Sequence, residues 1–316
     1  MLNTKKELSL APMVDVTTPH FRKLIRLANS HPVILFTEMI VDKSVIYMEE
    51  KALHQKIGPY DPLTIIQLGG SEPQEVVQAV ERIISLTSFR MFNLNCGCPS
   101  IKVRNGNFGA VLMKYPEKIS EIINRVYKHT GIILSIKCRI GIDEYDSYEY
   151  FENFIGHIVA ETPCMIFYIH ARKCLLNGIS TSQNRTVPPL DYSFVYRAKA
   201  KYPHVRFILN GNLGDKSDLI HLEGLDGMMI GRKAIENIFI FDEMLGLPKP
   251  ESTYSVVKKY LDGYSPDLQL KFFHLNPIMN LLKGKKGCKN FKKELNSIVR
   301  DKLLLKDARD RILKYF

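Results

Sequence analysis

Short apolar runs recur eight times along the first 232 residues, and their starts lie roughly 20 to 40 residues apart. Several of these runs are apolar throughout, which is typical of parallel strands that are covered on both faces. The runs predict strands over Leu8–Met13, Val33–Met39, Leu63–Leu68, Met91–Asn95, Ile133–Cys138, Met165–His170, Arg206–Asn210 and Gly227–Ile230.

Segments with helical spacing fill most of the gaps, and they predict helices over Pro19–Ala28, Glu72–Ser85, Pro116–Lys128, Tyr148–Ala160, Phe194–Lys201 and Asp215–Leu222. Eight strands that alternate with helices predict an α/β protein built on a (β/α)₈ TIM barrel. An open doubly wound sheet is the alternative. The absence of a G-x-G-x-x-G pattern after the first strand disfavours it.

The pattern changes after Arg232. Leu247–Pro250 is typical of a linker, and from Ser255 onward the apolar residues follow helical spacing. We therefore predict two domains, a barrel over residues 1–245 and a small all-helical domain over residues 246–316.

Charge separates the same two regions. The chain of 316 residues has a formal net charge of +11, and residues 246–316 hold 16 Lys and Arg against 7 Asp and Glu. A basic C-terminal module favours a polyanionic partner, most simply nucleic acid. A solvated lysine surface, in a chain rich in Lys and lacking Trp, is the other interpretation.

Several classes of protein are disfavoured. No apolar stretch approaches the roughly 18 residues of a membrane helix, and Met1–Ser9 has no signal-peptide core. Six irregularly spaced cysteines do not form a disulfide framework, which indicates reduced thiols and a cytoplasmic protein without membrane contact.

Polar residues and glycines end nearly every predicted strand, where the active site of such a barrel lies. Their convergence predicts a ligand pocket built from Ala11–Met13, Thr37–Met39, Gln67–Gly70, Asn93–Ser100, Lys137–Arg139, His170–Arg172, Asn210–Asn212 and Gly231–Arg232.

Some of these residues indicate the ligand. The loops after the last two strands commonly bind phosphate in such barrels, and here they contain Gly211 and the pair Gly231–Arg232. Lys137 has no obvious local carboxylate and could offset negative charge on a reduced flavin. Gln67 offers a donor and an acceptor, which the imide edge of a flavin requires.

The C-x-C pair of Cys96 and Cys98 supplies only two of the four ligands that zinc needs, so no metal site is predicted. Cys98 lies in a Gly-Cys-Pro-Ser turn, a placement that suits a reactive thiol. Cys96 is either structural or near the ligand.

Together these segments resemble the tRNA-dihydrouridine synthases over essentially the whole chain. The matching segments occur in family order, and they are Ala11–Thr17, Thr37–Met39, Gln67–Gly70, Asn93–Ser100, Lys137–Gly141, Ile169–Lys173, Asn210–Gly211 and Met229–Arg232. Asn107–Ala110 and Asn184–Leu190 resemble the DusA subfamily in particular.

The resemblance implies an FMN-dependent barrel with a helical tRNA-binding domain. By motif, FMN would contact Ala11, Pro12, Met13, Gln67, Lys137, His170, Asn210, Gly211, Asn212, Gly231 and Arg232. Cys98 would be the catalytic acid, and Asn95 and Arg139 would hold the target uracil. The tRNA would contact Ser182, Arg185, Lys289 and Lys292.

The chain departs from the family pattern at four of these positions. Asn212 stands where the family usually has a second Gly, and Ser182 where the subfamily usually has Lys. Lys289 and Lys292 replace Arg, which keeps the charge but loses the bidentate fork. These changes concern the choice of tRNA rather than the reaction.

The family resemblance implies reduction of the C5=C6 bond of uridine in tRNA, and the resemblance to the DusA subfamily implies position 20 or 20a. NADPH would be the reductant, with NADH as an alternative, and the enzyme would act as a monomer. Two other hypotheses stay open at this point. One is a flavin barrel enzyme that acts on a free small molecule such as dihydroorotate, and the other is a non-catalytic RNA-binding protein.

Overall fold

The computed structural model describes residues 6–316, except for the side chain of Lys102, and within that range eight parallel strands form one sheet. The strands are β1 (Glu7–Leu10), β2 (Leu35–Val41), β3 (Thr64–Gly69), β4 (Phe92–Cys96), β5 (Leu134–Arg139), β6 (Ile166–His170), β7 (Arg206–Asn210) and β8 (Gly227–Ile230). Their order in the sheet is β1-β8-β7-β6-β5-β4-β3-β2.

The sheet closes through Ile34, just before β2. The amide of Leu10 donates to the carbonyl of Ile34 at 2.8 Å, and the amide of Ile34 donates to the carbonyl of Leu8 at 3.0 Å. The ring of parallel strands with intervening helices confirms the predicted α/β class and the TIM barrel.

The helices are α1 (Pro19–Ala28), α2 (Asp42–Tyr47), α3 (Glu50–Ile57), α4 (Pro73–Leu86), α5 (Ile101–Asn105), α6 (Pro116–Thr130), α7 (Tyr148–Glu161), α8 (Ser193–Lys201), α9 (Arg232–Glu236), α10 (Ile240–Met244), α11 (Thr253–Asp262), α12 (Phe272–Leu275), α13 (Cys288–Arg300) and α14 (Leu305–Leu313). Proline opens α1, α4 and α6, because the first helical position needs no amide donor. Across the described residues, no helix has the length and apolar character to cross a membrane.

The structure corrects some predicted boundaries. The first strand ends at Leu10 rather than Met13, because the Met13 carbonyl accepts the amides of Val16 and Thr17 in a turn. The second strand begins at Leu35 and runs to Val41. The segment predicted as a helix over Asp215–Leu222 is a 3₁₀ helix over Lys216–Leu222. The sequence pattern missed the short helices α2, α3, α5, α9 and α10, each of eight residues or fewer.

Apolar side chains from several strands fill the barrel. They form a buried cluster of Ala11, Phe36, Ile65, Tyr168, Ile208 and Met229. The rings of Phe36 and Tyr168 meet edge to face with centroids 4.9 Å apart. Because the interior is packed, a ligand has room only above it, at the carboxyl ends of the strands.

The C-terminal helical region (residues 253–316) contains α11 to α14 and packs beside α1. The ammonium of Lys23 on α1 donates to the carbonyl of Tyr260 at 3.3 Å and lies 4.0 Å from the ring centre of Tyr264. The predicted domain boundary at residue 245 falls between α10 and α11. The helical region therefore lies against the first helix of the barrel.

We expect Phe36→Ala to lower the free energy of unfolding by about 3–5 kcal/mol, because it leaves a cavity in the barrel interior. Chemical denaturation monitored by circular dichroism measures the change. Tyr127→Ala removes a ring that is 47% exposed and serves as the control. Equal losses for both variants would show that the barrel interior is not tightly packed.

Candidate active site at the carboxyl ends of the strands

Positive charge collects around His170 at the end of β6. Burial, followed by the nearby charges of Arg139, Lys137, Arg172 and Arg232, lowers the pKa of His170 well below its usual value. The imidazole is therefore neutral at pH 7. Among the described residues, no carboxylate contributes to this shift. A concave site with cations and no opposing carboxylate favours an anionic ligand.

Lys137 extends this positive region from β5. Its ammonium donates to Oδ1 of Asn210 at 3.3 Å. Burial, and then the neighbouring charge of Arg139, lowers the pKa of Lys137 to about 8. Within residues 6–316, no carboxylate lies within 4 Å of this ammonium. No described carboxylate therefore pairs with Lys137, whose role toward a ligand stays a prediction.

The loops after β1 and β8 lie side by side. The amide of Ala11 donates to the carbonyl of Ile230 at 2.8 Å. A Cβ atom placed on Gly231 would lie 3.7 Å from Cβ of Ala11 and 3.8 Å from Sδ of Met13. The structure therefore brings Ala11–Met13 next to Gly231, as expected for one binding site.

The loop after β7 requires its glycine. Gly211 has a φ of 132°, and a Cβ atom there would lie only 3.1 Å from Cδ2 of His170. Asn212 follows with a φ of 53°, in the left-handed region that asparagine tolerates better than most residues. Asparagine in place of a second glycine is therefore compatible with this backbone.

A chain of carboxamides crosses the barrel mouth. Asn95 Nδ2 donates to Gln67 Oε1 at 2.9 Å, and Gln67 Nε2 donates to Asn93 Oδ1 at 2.8 Å. Asn93 in turn donates to Oγ of Ser135 at 2.9 Å. The chain fixes the orientation of Gln67 and leaves it one N–H and one oxygen lone pair. Asn93 belongs to the Asn93–Ser100 ending that the sequence predicts for the pocket, whereas its partner Ser135 was not predicted.

Asn95 also shapes the loop that presents Cys98. Its Oδ1 accepts the amide of Gly97 at 3.1 Å and the amide of Cys98 at 3.0 Å. Cys98 is partly exposed, whereas Cys96 is fully buried in the main core. Burial raises the pKa of Cys96 well above its usual value. Of the two thiols, Cys98 is the one placed to meet a ligand.

Arg139 joins two loops beside Cys98. It is only 3% exposed, and it donates from Nε to the carbonyl of Gly97 at 2.9 Å and from Nη1 to that of Asn184 at 2.8 Å. Burial lowers the pKa of its guanidinium. Both loops therefore depend on one buried cation.

Arg172 belongs to the His170–Arg172 ending that the sequence predicts for the pocket, but it was not among the residues predicted to contact FMN, uracil or tRNA. It is buried, its Nη1 donates to the carbonyls of Thr186 and Pro188, and its Nε has no partner among the described residues. In the sequence it is marked only by its place among the polar residues that follow the sixth predicted strand. Arg172 adds a second buried guanidinium to the barrel mouth.

The predicted tRNA contacts form two groups. Ser182 and Arg185 are exposed on the loop after β6, and the carbonyl of Arg185 accepts from Nη2 of Arg232 at 3.4 Å. Lys289 and Lys292 lie on α13, where Lys289 is exposed and Lys292 donates to Oδ1 of Asn280 at 3.1 Å. Only the first group lies at the barrel mouth.

The basic stretch of residues 283–293 begins close to that mouth. The ammonium of Lys283 lies 2.6 Å from Oε1 of Glu236, on the helix that follows Arg232 directly. No group of three or more His, Cys, Asp or Glu side chains within residues 6–316 is arranged to bind a metal.

Several known proteins have sequences similar to this one. The proteins named tRNA-dihydrouridine(20/20a) synthase from Pasteurella multocida and Synechocystis sp. are each 39% identical, over 72% and 74% of this chain and 69% of their own length. The Vibrio cholerae protein of the same name is 37% identical, over 79% of this chain and 77% of its own.

Among solved structures, morphinone reductase in complex with tetrahydroNAD aligns with a TM-score of 0.49 and 12% identity, over 79% of this chain and 89% of that one. That likeness is too low to carry any inference. The model of the family described as "Dihydrouridine synthase (Dus)" matches residues 9–310. The chain belongs to the dihydrouridine synthase family.

Proposed function

We propose that the protein reduces uridine to 5,6-dihydrouridine at position 20 or 20a of tRNA, with bound FMN and with NADPH as the reductant. One observation carries the proposal. A partly exposed thiol, Cys98, shares the barrel mouth with Lys137, Arg139, Arg172 and Arg232, and none of the described charges that lower the pKa of His170 there belongs to a carboxylate. An acid and a binding site for anions thus lie together.

The residues present fit FMN. Arg232, beside the glycines of the β7 and β8 loops, suits the phosphate, because guanidinium binds phosphate in a bidentate manner. Lys137 offers a positive charge and Gln67 a fixed donor and acceptor to the ring system. Ala11–Met13, Asn210 and Asn212 border the same space. When bound, FMN supplies the hydride that adds to C6 of the uracil.

The protein must supply the proton for C5. Hydride addition at C6 leaves negative charge on C5 and O4, so an acid is needed near C5. Cys98 serves as that acid, because its loop is held by Asn95 and is not buried in the core. The remaining N–H of Asn95 and the guanidinium of Arg139 orient the uracil.

The helical region supplies affinity for the tRNA. The target base must leave the folded RNA, which costs a few kcal/mol. Contacts between phosphates and the exposed lysines of α13 offset this cost without reading sequence. Ser182 and Arg185 at the barrel mouth contact the RNA near the target base.

The direct test uses purified protein, an unmodified tRNA transcript, FMN and NADPH, followed by nucleoside analysis of the RNA. We expect dihydrouridine at position 20 or 20a. Reduction of a free pyrimidine without reduction of the transcript would contradict the proposal. Parallel reactions with NADH establish which nicotinamide is used.

Arg232→Ala should raise the dissociation constant of FMN by about tenfold or more, because a hydrogen bond to a charged group contributes about 1.5–3 kcal/mol. Fluorescence quenching on titration of the apoprotein measures it. Lys233→Ala is the matched control, since Lys233 is adjacent, exposed and 3.3 Å from Asp215. Unchanged FMN affinity in Arg232→Ala would place the phosphate elsewhere.

Cys98→Ala should retain FMN and NADPH oxidation but slow dihydrouridine formation by about 10²–10⁴-fold, the usual effect of losing a positioned acid. Single-turnover assays with reduced enzyme measure this step. Cys288→Ala, which removes another partly exposed thiol, should behave like the parent. Parent-like turnover in Cys98→Ala would remove Cys98 as the acid.

Replacing Lys289 and Lys292 by Ala should weaken tRNA binding and flatten its salt dependence by roughly one unit of slope per lost phosphate contact. Filter binding at several salt concentrations measures both. FMN affinity should not change. The control replaces Lys51 and Lys128, which are exposed on α3 and α6. If both double variants lose the same slope, overall charge rather than α13 determines binding.

A further inference from the structure

The turn that contains Asp15 connects β1 to α1, and it is strained. Asp15 has a φ of 61°, in the left-handed region that residues with a Cβ atom seldom adopt. Such a conformation persists only where surrounding contacts enforce it. On one side of the turn lies Ala11–Met13, and on the other lies the first helix of the barrel.

A buried carboxylate holds the turn in this conformation. Glu38 on β2 is 3% exposed, and its Oε1 accepts the amide of Asp15 at 2.8 Å. Its Oε2 lies 2.9 Å from the ammonium of Lys56, whose side chain is partly exposed. Charge-assisted hydrogen bonds of this kind are stronger than neutral ones. Glu38 belongs to the Thr37–Met39 ending that the sequence predicts for the pocket, but no role was predicted for it there.

The same turn touches the helical region. The carbonyl of Asp15 accepts from Nδ2 of Asn276 at 3.4 Å, and Asn276 follows α12 directly. The amide and the carbonyl of a single strained residue are therefore bound by two different parts of the molecule. Glu38 holds the turn from inside the barrel, and Asn276 holds it from the helical region.

We infer that Glu38 is a positioning residue that couples cofactor binding to tRNA binding through the Asp15 turn. By holding the turn, Glu38 fixes Ala11–Met13 at the cofactor site and also one contact between the barrel and the helical region. This inference rests on the proposed function for the identity of the two ligands. Glu38 contacts neither of them.

The test measures two equilibria without turnover. The dissociation constant of FMN is obtained by fluorescence quenching of the apoprotein, and that of an unmodified tRNA transcript by filter binding. Glu38→Ala should weaken FMN binding about tenfold, because a charge-assisted hydrogen bond is lost, and it should also weaken tRNA binding. Asn276→Ala should weaken tRNA binding alone.

The double variant tests the coupling. If both residues act through the Asp15 turn, adding Asn276→Ala to Glu38→Ala should weaken tRNA binding no further. Effects that multiply would show two independent contacts and overturn the inference. Unchanged FMN affinity in Glu38→Ala would overturn it as well.

Two conservative variants separate positioning from general stability. Glu38→Gln keeps a neutral hydrogen bond to the Asp15 amide and should lose clearly less than tenfold in FMN affinity, and it keeps the test falsifiable should Glu38→Ala fail to fold. Lys56→Met removes only the partly exposed ion pair and should also lose clearly less than tenfold. A tenfold loss of FMN affinity in either variant would contradict the assigned role of the Asp15 hydrogen bond. If the parent protein binds neither FMN nor tRNA, the proposed function fails rather than this inference.

Discussion

Strand register in the closed parallel barrel is the constraint on which the site depends. It pairs Gln67 with Asn93, Asn95 with Lys137, and Arg139 with His170 on neighbouring strands, and His170 in turn pairs with Asn210. A slip of one residue would turn each of these side chains to the opposite face. Residues that are far apart in sequence therefore become neighbours at one rim, and the apolar cluster of the barrel interior keeps the rim in place.

Burying cations at this rim costs free energy. Desolvation disfavours the charged forms of Lys137 and Arg139, and it lowers the pKa of both. A protein selected only for stability would place a carboxylate opposite them or replace them by apolar residues. An anionic ligand relieves the unbalanced charge when it binds, so it also stabilises the fold by mass action. Arg139 also holds two loops, whereas the charge of Lys137 is best explained by the proposed binding of an anionic ligand.

The sequence predicted the barrel because each strand is a separate apolar run and the pattern of helices between them is strong. It also predicted the residues at the strand ends, since their place follows from chain order alone. It could not predict Glu38 as a support for Asp15 or the hydrogen bonds of Arg139 to two loops, because these contacts join loops whose paths depend on tertiary packing. The helices α2 and α3 were missed because they are short. The positive φ of Asp15 could not be predicted from its residue type.

The attachments of the helical region occupy one sector of the rim. Asn276 binds the loop after β1, and Lys283 pairs with Glu236 after β8, and these two strands are neighbours in the ring. Cys98 and Arg139 follow β4 and β5, on the other side of the barrel axis. A large polyanion bound along α13 must therefore reach across the mouth to bring a base to Cys98. The barrel fixes this separation, so the proposed path of the tRNA runs from the β1 and β8 loops across the mouth to Cys98.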